Sequence, residues 1–205
     1  MAVIELKEET VPYKESLLAD WGNGNCSMLT SSNASEYIKE IIVHKAKKRP
    51  GTRFFGEAYV ASLLYKKTKE GWYGSYKWLT SDKWITGKSL TNQFEKSFYE
   101  ALKKYIGIES LRKIQNGSKN FMFSNKIKPQ APDLWLIDKS GEHHFIECKK
   151  GSDKIHSGQL EGLAIIKKYL KGHIKIIHLY PEGSKPPKLI DHTEIFSEIY
   201  KSLPA

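Results

Sequence analysis

Two acidic residues and one lysine, Asp133, Glu147 and Lys149, have the types and spacing needed to act together on a phosphate group. The apolar runs at 134–137 and 144–148 predict two strands joined by a tight turn. A three-residue loop with Gly141 in the left-handed conformation pairs residue 138 with residue 142, and by extension Asp133 with Glu147. Because strand side chains alternate, Glu147 and Lys149 share one face, and the three charged groups converge.

Opposed carboxylates repel each other across a strand pair, so a cation is expected between them. Asp133, Glu147 and the backbone carbonyl of Cys148 offer the oxygen ligands that Mg²⁺ or Mn²⁺ prefers. Such an ion polarises a phosphodiester, while Lys149 orients or helps to deprotonate the attacking water and stabilises charge on the phosphate. The alternative is a surface hairpin with an ordinary Glu–Lys ion pair.

Two polar residues on predicted helices add to this site. Glu57 lies within the apolar stripe of its helix, where an unpaired carboxylate is costly. Gln159 aligns with the apolar face of the next helix after the hairpin. Each has a simpler interpretation, because an acid is favoured in a first helical turn and Gln159 is suited to capping a helix start. Glu95, on the margin of another apolar face, is the second choice for the helical acid.

The rest of the chain predicts the elements that position these residues. We expect residues 1–50 to form an N-terminal extension, mostly irregular to about residue 33 and helical from Ser35, and residues 51–205 to form one globular unit. The patterns in that unit predict helices at 54–67, 93–106, 158–171 and 191–203, an aromatic hairpin turning at Ser81-Asp82, and strands at 134–137, 144–148 and 174–179. Since a strand–helix–strand unit normally joins parallel strands, the expected fold is α/β, with a central mixed β-sheet flanked by helices.

Aromatic residues interleave with lysines in the predicted hairpin. The set comprises Trp72, Tyr76, Trp78 and Trp84 with Lys77 and Lys83. Such a pattern is typical of a platform on which unpaired bases stack. The alternative is that these aromatic rings pack in the core, as most do.

The charge balance points to a polyanionic partner. The 33 Lys and Arg residues outnumber the 23 Asp and Glu residues, which gives a formal net charge of +10. Only Arg49, Arg53 and Arg112 are arginines. Lysine suits phosphates, whereas arginine is the usual reader of guanine edges, so the composition favours contact with a nucleic-acid backbone over base reading.

Several classes of protein are excluded by composition. No apolar stretch is long enough to span a bilayer, and the first residues lack the pattern of a secretion signal, so we expect an intracellular, cytoplasmic protein. Cys26 and Cys148 are far apart, which excludes a disulfide framework, a thiolate zinc site and a four-cysteine iron–sulfur cluster.

Together these residues resemble the PD-(D/E)xK nuclease superfamily. The matching residues are Pro132-Asp133, then Glu147-Cys148-Lys149, then Gln159 on the following helix, with Glu57 upstream. Their order and the trailing glutamine are most similar to the Holliday-junction-resolvase-like and VRR-NUC-like branches. The resemblance covers mainly residues 131–180, and the long stretch between Glu57 and Asp133 departs from the pattern.

The resemblance implies a restriction-endonuclease-like core and a role for each matching residue. Asp133 and Glu147 would be metal ligands, Lys149 the catalytic lysine, Gln159 an auxiliary group and Glu57 an additional acid. It also implies a homodimer, because symmetric cutting of two strands needs two sites. The expected function is that of a Mg²⁺-dependent DNA nuclease, an endonuclease selective for DNA structure or for single strands. The alternatives are a non-catalytic nucleic-acid-binding protein on a nuclease-like fold and an RNA-processing nuclease.

Overall fold

The structure is a computed structural model that describes residues 4–25, 39, 53–64, 67–74 and 77–204 of the 205-residue chain. These residues form an α/β fold. In chain order the elements are strand β1 (Glu8–Tyr13), helix α1 (Glu15–Gly22), helix α2 (Phe55–Leu64), strand β2 (Thr68–Tyr73), helix α3 (Lys83–Thr86), helix α4 (Gln93–Ala101), a π-helical turn (Leu102–Ile106), helix α5 (Ile108–Asn125), strand β3 (Leu134–Asp138), strand β4 (His143–Lys150), helix α6 (Ser157–Leu170), strand β5 (His173–Pro181) and helix α7 (Thr193–Ser202).

Within the described residues the strands form one five-stranded mixed sheet in the order β1-β5-β4-β3-β2. Strand β5 runs parallel to both β4 and β1, whereas β3 is antiparallel to β4 and to β2. The crossover from β4 through α6 to β5 is the predicted strand–helix–strand unit. The expectation of a mixed sheet flanked by helices is therefore confirmed.

Helices cover both faces of the sheet, because the central strands are apolar on both sides. Strand β3 has the sequence LWLID, and its first four residues are buried. Trp135 and Phe145 face a core built with α4, α5, α6 and α7. Leu134, Leu136 and Ile146 face a second core built with α1 and α2. Alternation along the strands thus divides the apolar residues between two layers.

The N-terminal region is more ordered than expected. The expectation that residues up to about 33 are mostly irregular is wrong for residues 8–22, which form β1 and α1. Strand β1 pairs with β5, with Glu8 opposite Ile176 and Tyr13 opposite Pro181. The predicted helix from Ser35 lies outside the described residues, apart from Lys39, which is helical.

The predicted aromatic hairpin is wrong. Strand β2 pairs with β3, and the residues after the Ser81-Asp82 turn form the short helix α3. Pairing with the buried strand β3 places the Trp72 ring 4.5 Å from that of Trp135. Burial of both rings favours this arrangement over a separate ribbon, which has little apolar surface to cover it.

The tryptophans of this region belong to the core. Trp78 and Trp84 have no exposed surface and Trp72 is 5% exposed, so these three rings do not form a stacking platform. Tyr76, the fourth predicted member, lies outside the described residues.

The predicted helix at 93–106 is present as α4, continued by the π-helical turn. Among the described residues, no helix has the length and apolar character needed to cross a bilayer.

Candidate active site

The β3–β4 hairpin has the predicted register. Leu134 lies opposite Ile146 and Trp135 opposite Phe145, while Gly141 has a φ of 91° in the turn. The same register continued by one residue brings Asp133 opposite Glu147. At this end of the hairpin the Asp133 carboxylate accepts a hydrogen bond of 3.0 Å from the backbone N–H of Cys148. The predicted convergence of the two acids is confirmed.

Glu147, Lys149 and Gln159 form one hydrogen-bonded group. The Lys149 ammonium donates to Glu147 Oε1 and to Gln159 Oε1, each at 2.9 Å. The Gln159 amide nitrogen donates to Glu147 Oε1 as well. Glu147 is 1% exposed and Lys149 is 7% exposed, so the ion pair is withdrawn from solvent and not the exposed surface pair considered as the alternative. Buried charges are tolerated when they are paired in this way.

Gln159 also has the simpler role considered for it. It is in the first turn of α6, and its side-chain oxygen accepts a hydrogen bond of 3.0 Å from the backbone N–H of His156. The same amide therefore caps the helix and contacts the ion pair. Gly158 and Gly162 allow the segment 128–130, which leads to Asp133, to approach the first turns of α6, which carries Gln159.

Glu57 completes the acidic side of the site. It lies in the first turn of α2, and it lines a cleft of about 450 Å³ that also exposes Asp133, Glu147, Lys149 and Gln159. Neighbouring Gly56 faces the sheet, because a Cβ atom added there would be in ordinary van der Waals contact with Leu179 and Cys148. The remaining residues around the cleft, which the sequence did not single out, are Arg53, Phe54, Lys150 and Asp153.

Glu95, the second choice for the helical acid, does not line the cleft. Its carboxylate accepts a hydrogen bond of 2.6 Å from the Lys83 ammonium and further hydrogen bonds from Thr91. It therefore stabilises the start of α4, and the structure brings Glu57 to the other acids.

The electrostatics of the cleft favour a cation. Burial, followed by repulsion from Asp133, raises the pKa of Glu147 well above its usual value. Burial also raises the pKa of Asp133, and it raises the pKa of Glu57 to about 7, with Asp133 adding to the effect. The pKa of the Cys148 thiol is raised by burial too, so this cysteine is a poor nucleophile. If all three acids were ionised, their negative charge would exceed the single positive charge of Lys149, and the raised pKa values reflect that shortage of cations in the cleft.

One oxygen of Glu147 indicates where a cation fits. Glu147 Oε2 is buried and has no hydrogen-bond partner among the described residues. Those residues contain no ready cluster of three or more His, Cys, Asp or Glu side chains arranged as metal ligands. A Mg²⁺ site commonly uses only one or two carboxylates, with water and substrate phosphate as the other ligands. Asp133 and Glu147, with the backbone carbonyl of Cys148, fit this simpler kind of site.

The two histidines of the β3–β4 hairpin, His143 and His144, do not line the cleft. His144 is hydrogen-bonded to Asp138 at 2.9 Å, next to the turn, and His143 packs against the Trp135 ring. His156 lines a second cavity, which shares Lys149 and Gln159 with the cleft.

Comparison of the chain with protein-family models, with curated proteins and with solved structures found no match.

Proposed function

We propose that this protein is a Mg²⁺- or Mn²⁺-dependent DNA nuclease with a restriction-endonuclease-like core. The observation that carries the proposal is the position of the Lys149 ammonium, which is held between Glu147 and Gln159 beside the Asp133 carboxylate. A carboxylate pair next to a fixed ammonium group can serve a metal ion and a phosphate together.

Each residue has a role in phosphodiester hydrolysis. Asp133, Glu147 and the Cys148 carbonyl would hold the metal ion. Bound Mg²⁺ or Mn²⁺ supplies Lewis acidity at a phosphate oxygen and lowers the pKa of a coordinated water. Lys149 orients the attacking water and stabilises negative charge on the phosphate. Gln159 keeps the Lys149 ammonium in place, because its oxygen accepts from that group.

Glu57 has an additional role that follows from its position. Its carboxylate would act as a further acid at the metal ion, directly or through water. Glu57 lines the same cleft as Asp133 and Glu147. The helix that carries it, α2, packs on the face of the sheet that contains Leu134, Leu136 and Ile146.

The decisive experiment measures cleavage of labelled single-stranded DNA, duplex DNA, a four-way junction and RNA, each with Mg²⁺ or with EDTA. We expect wild-type protein to cut DNA only with the metal ion. Asp133→Asn and Lys149→Met should lose at least about 100-fold in rate, which is the usual effect of removing an electrostatic catalytic group. Glu95→Gln is the matched control, because it alters an ion-paired carboxylate away from the cleft.

The results separate the alternatives. Equal cutting by wild type, Asp133→Asn and Lys149→Met would show that the site is wrongly assigned. Cutting confined to RNA would identify an RNA-processing nuclease. Tight, salt-dependent binding without metal-dependent cutting of any substrate would identify a non-catalytic nucleic-acid-binding protein. A homodimer, which would place two clefts for two strands, is checked by light scattering.

A further inference from the structure

A second cavity adjoins the cleft and is lined by two lysines. Its volume is about 510 Å³, and it exposes Lys77 and Lys128 together with Gln130, Asp133 and Gln159. Because Asp133 and Gln159 also line the cleft, the two cavities meet at the proposed catalytic residues. The lysine cavity therefore adjoins the cleft on the side of Asp133 and Gln159.

The backbone at Lys77 is held in an unfavourable conformation. Its φ is 60°, in the left-handed region that side chains other than glycine rarely adopt. The Lys77 carbonyl accepts hydrogen bonds of 3.1 Å from the N–H groups of Thr80 and Ser81, and the next residue, Trp78, has no exposed surface. Such strain persists only where the surroundings fix it.

Helix α5 holds the turn at Lys77 in place through hydrogen bonds. The fully buried Gln115 donates two hydrogen bonds of 2.8 Å, one to the carbonyl of Trp78 and one to that of Ser81. The aromatic segment thus contributes its tryptophan to the core, and the fixed turn presents Lys77 to the cavity.

Lys128 is on a segment that is equally well fixed. The N–H of Gln130 donates a hydrogen bond of 2.7 Å to the carbonyl of Gly158 in α6. A Cβ atom added at Gly158 would lie 2.6 Å from the Lys128 carbonyl, so helix and segment are in direct backbone contact. The position of Lys128 relative to Gln159 is therefore set by α6.

The two lysines have a charge that the described part of the chain does not neutralise. Within the described residues neither Lys77 nor Lys128 forms an ion pair. Asp133 is the acid that shares their cavity, and it already accepts a hydrogen bond from Cys148. Two ammonium groups facing one cavity repel each other, and an anionic ligand removes that repulsion.

We propose that Lys77 and Lys128 bind consecutive phosphates of one nucleic-acid strand, next to the phosphate that is to be cut at the Asp133–Glu147 site. This inference rests on the proposed function for the identity of the strand. Lysine binds a phosphate as a point charge and carries little base information, so the contact is independent of sequence. On the other side of Gln159, Lys154 and His156 line a cavity of about 530 Å³ that continues the path. The proposed nucleic-acid strand thus runs from the Lys77 and Lys128 cavity past Gln159 to the cavity lined by Lys154 and His156.

The test measures binding without catalysis. A fluorescent single-stranded DNA oligonucleotide is titrated in EDTA at several salt concentrations, with wild type and with Lys77→Gln/Lys128→Gln. The control, Lys139→Gln/Lys171→Gln, removes the same charge from two exposed lysines beside the β3–β4 turn and after α6, at the opposite end of the hairpin and of the helix. Circular dichroism melts check that all three proteins fold.

Each lost phosphate contact should lower the slope of log affinity against log salt by about 0.7 for a single strand, or about 1.4 for the pair. At about 0.1 M salt that corresponds to roughly 25-fold weaker binding. The control should bind as wild type does. Equal losses in the two double variants would overturn the inference, because net charge alone would then explain them.

Two further outcomes are informative. Displacement of the oligonucleotide by a nucleoside monophosphate at similar concentration would overturn the strand path in favour of a mononucleotide site. Loss of binding in the Lys77/Lys128 variant, in a protein that never cuts with Mg²⁺, would support the inference and contradict the proposed nuclease activity. Absence of any binding by wild type in EDTA would overturn the inference, whereas the proposed nuclease activity would still be decided by cleavage with Mg²⁺.

Discussion

The amide oxygen of Gln159 accepts a hydrogen bond of 2.9 Å from the ammonium nitrogen of Lys149, ten positions earlier in the chain. The amide nitrogen of the same side chain donates to Glu147, which fixes which end of the amide faces the lysine. One side chain thus orients both members of a buried ion pair, and it does so from a helix and not from the strand that carries them.

Gln159→Ala should lower the cleavage rate about 10- to 100-fold, the range typical of groups that orient catalytic residues. The Lys149 ammonium would keep its contact with Glu147 but lose the second partner that aims it. Single-turnover cleavage and binding in EDTA separate the two effects, and the dissociation constant should change much less than the rate.

Gln93→Ala is the control for that variant, because Gln93 is an exposed glutamine at the start of another helix, α4. Loss of the cap at His156 also costs stability, about 1 kcal/mol, so the melting temperature of each variant is recorded. A rate loss that disappears at low temperature, where both variants are fully folded, would contradict a positioning role.

Mg²⁺ should raise the melting temperature of wild type. A free concentration about 100 times the dissociation constant stabilises by about 2.7 kcal/mol, or about 5–10 °C for a chain of this size. Asp133→Asn/Glu147→Gln should abolish the shift, since the unpartnered Glu147 oxygen is part of the proposed ligand set.

The metal titration is repeated on Glu95→Gln at matched ionic strength. Glu95 is ion-paired with Lys83 outside the cleft, so this variant should keep the full shift. An equal shift in the Asp133→Asn/Glu147→Gln protein would place the bound ion elsewhere.

The hairpin and its site could be predicted because they depend on local rules. One turn with Gly141 fixes the register, and alternation along β4 then places Glu147 and Lys149 on one face. Helical spacing alone directs Gln159 to the sheet. The cation-binding role of these groups stays a prediction.

Other elements depend on distant partners and could not be predicted. Strand β1 contains three polar residues in EETVPY and is ordered by pairing with β5. Helix α5 was missed because its sequence is polar and contains Gly117, yet it buries Leu111, Ile114 and Phe121. Gly117 lies against the Tyr169 ring, where a side chain would clash, so its presence reflects packing and not a turn. The cavity lined by Lys77 and Lys128 could not be predicted either, because two segments far apart in the sequence form it, the turn at Lys77 and the residues 128–130.

Glu161→Gln should stabilise the protein at alkaline pH. Glu161 is 3% exposed, its Oε2 atom has no partner among the described residues, and burial raises its pKa from 4.5 to about 7. The folded state therefore holds a proton that the unfolded state has released between these pH values. The free energy of unfolding consequently falls as pH rises from 4.5 to about 7, and the loss persists above that.

Chemical denaturation at a series of pH values measures this effect. Glu161→Gln should match wild type at the acidic end and exceed it at pH values above the Glu161 pKa. Glu198→Gln, at an exposed position of α7, should follow the wild-type profile. A constant difference between Glu161→Gln and wild type at all pH values would show that the carboxylate does not titrate as expected.

Gly162→Ala should destabilise the protein by about 2–3 kcal/mol or more. An added Cβ would overlap the backbone carbonyl oxygen of Gln130, so α6 and segment 128–130 must separate. Because that segment leads to Asp133 and α6 carries Gln159, cleavage should weaken more than stability alone explains.

Gly22→Ala provides the comparison for that substitution. Gly22 is also helical, and an added Cβ would meet nothing within 4 Å. It should be neutral or slightly stabilising, since alanine is the better helix former. Similar melting temperatures for the Gly22 and Gly162 variants would contradict the close approach.

The pairing of β1 with β5 determines when the sheet can form during synthesis of the chain. β1 leaves the ribosome long before its partner strand β5, as the ion pair between Glu9 and Lys175, 166 positions apart, illustrates. Until β5 emerges, β1 has no strand with which to form a ladder, and β4 lacks its parallel neighbour. A growing chain can therefore carry every residue of the cleft and still lack the sheet that holds them together, so the site matures only when translation of the fold is nearly finished.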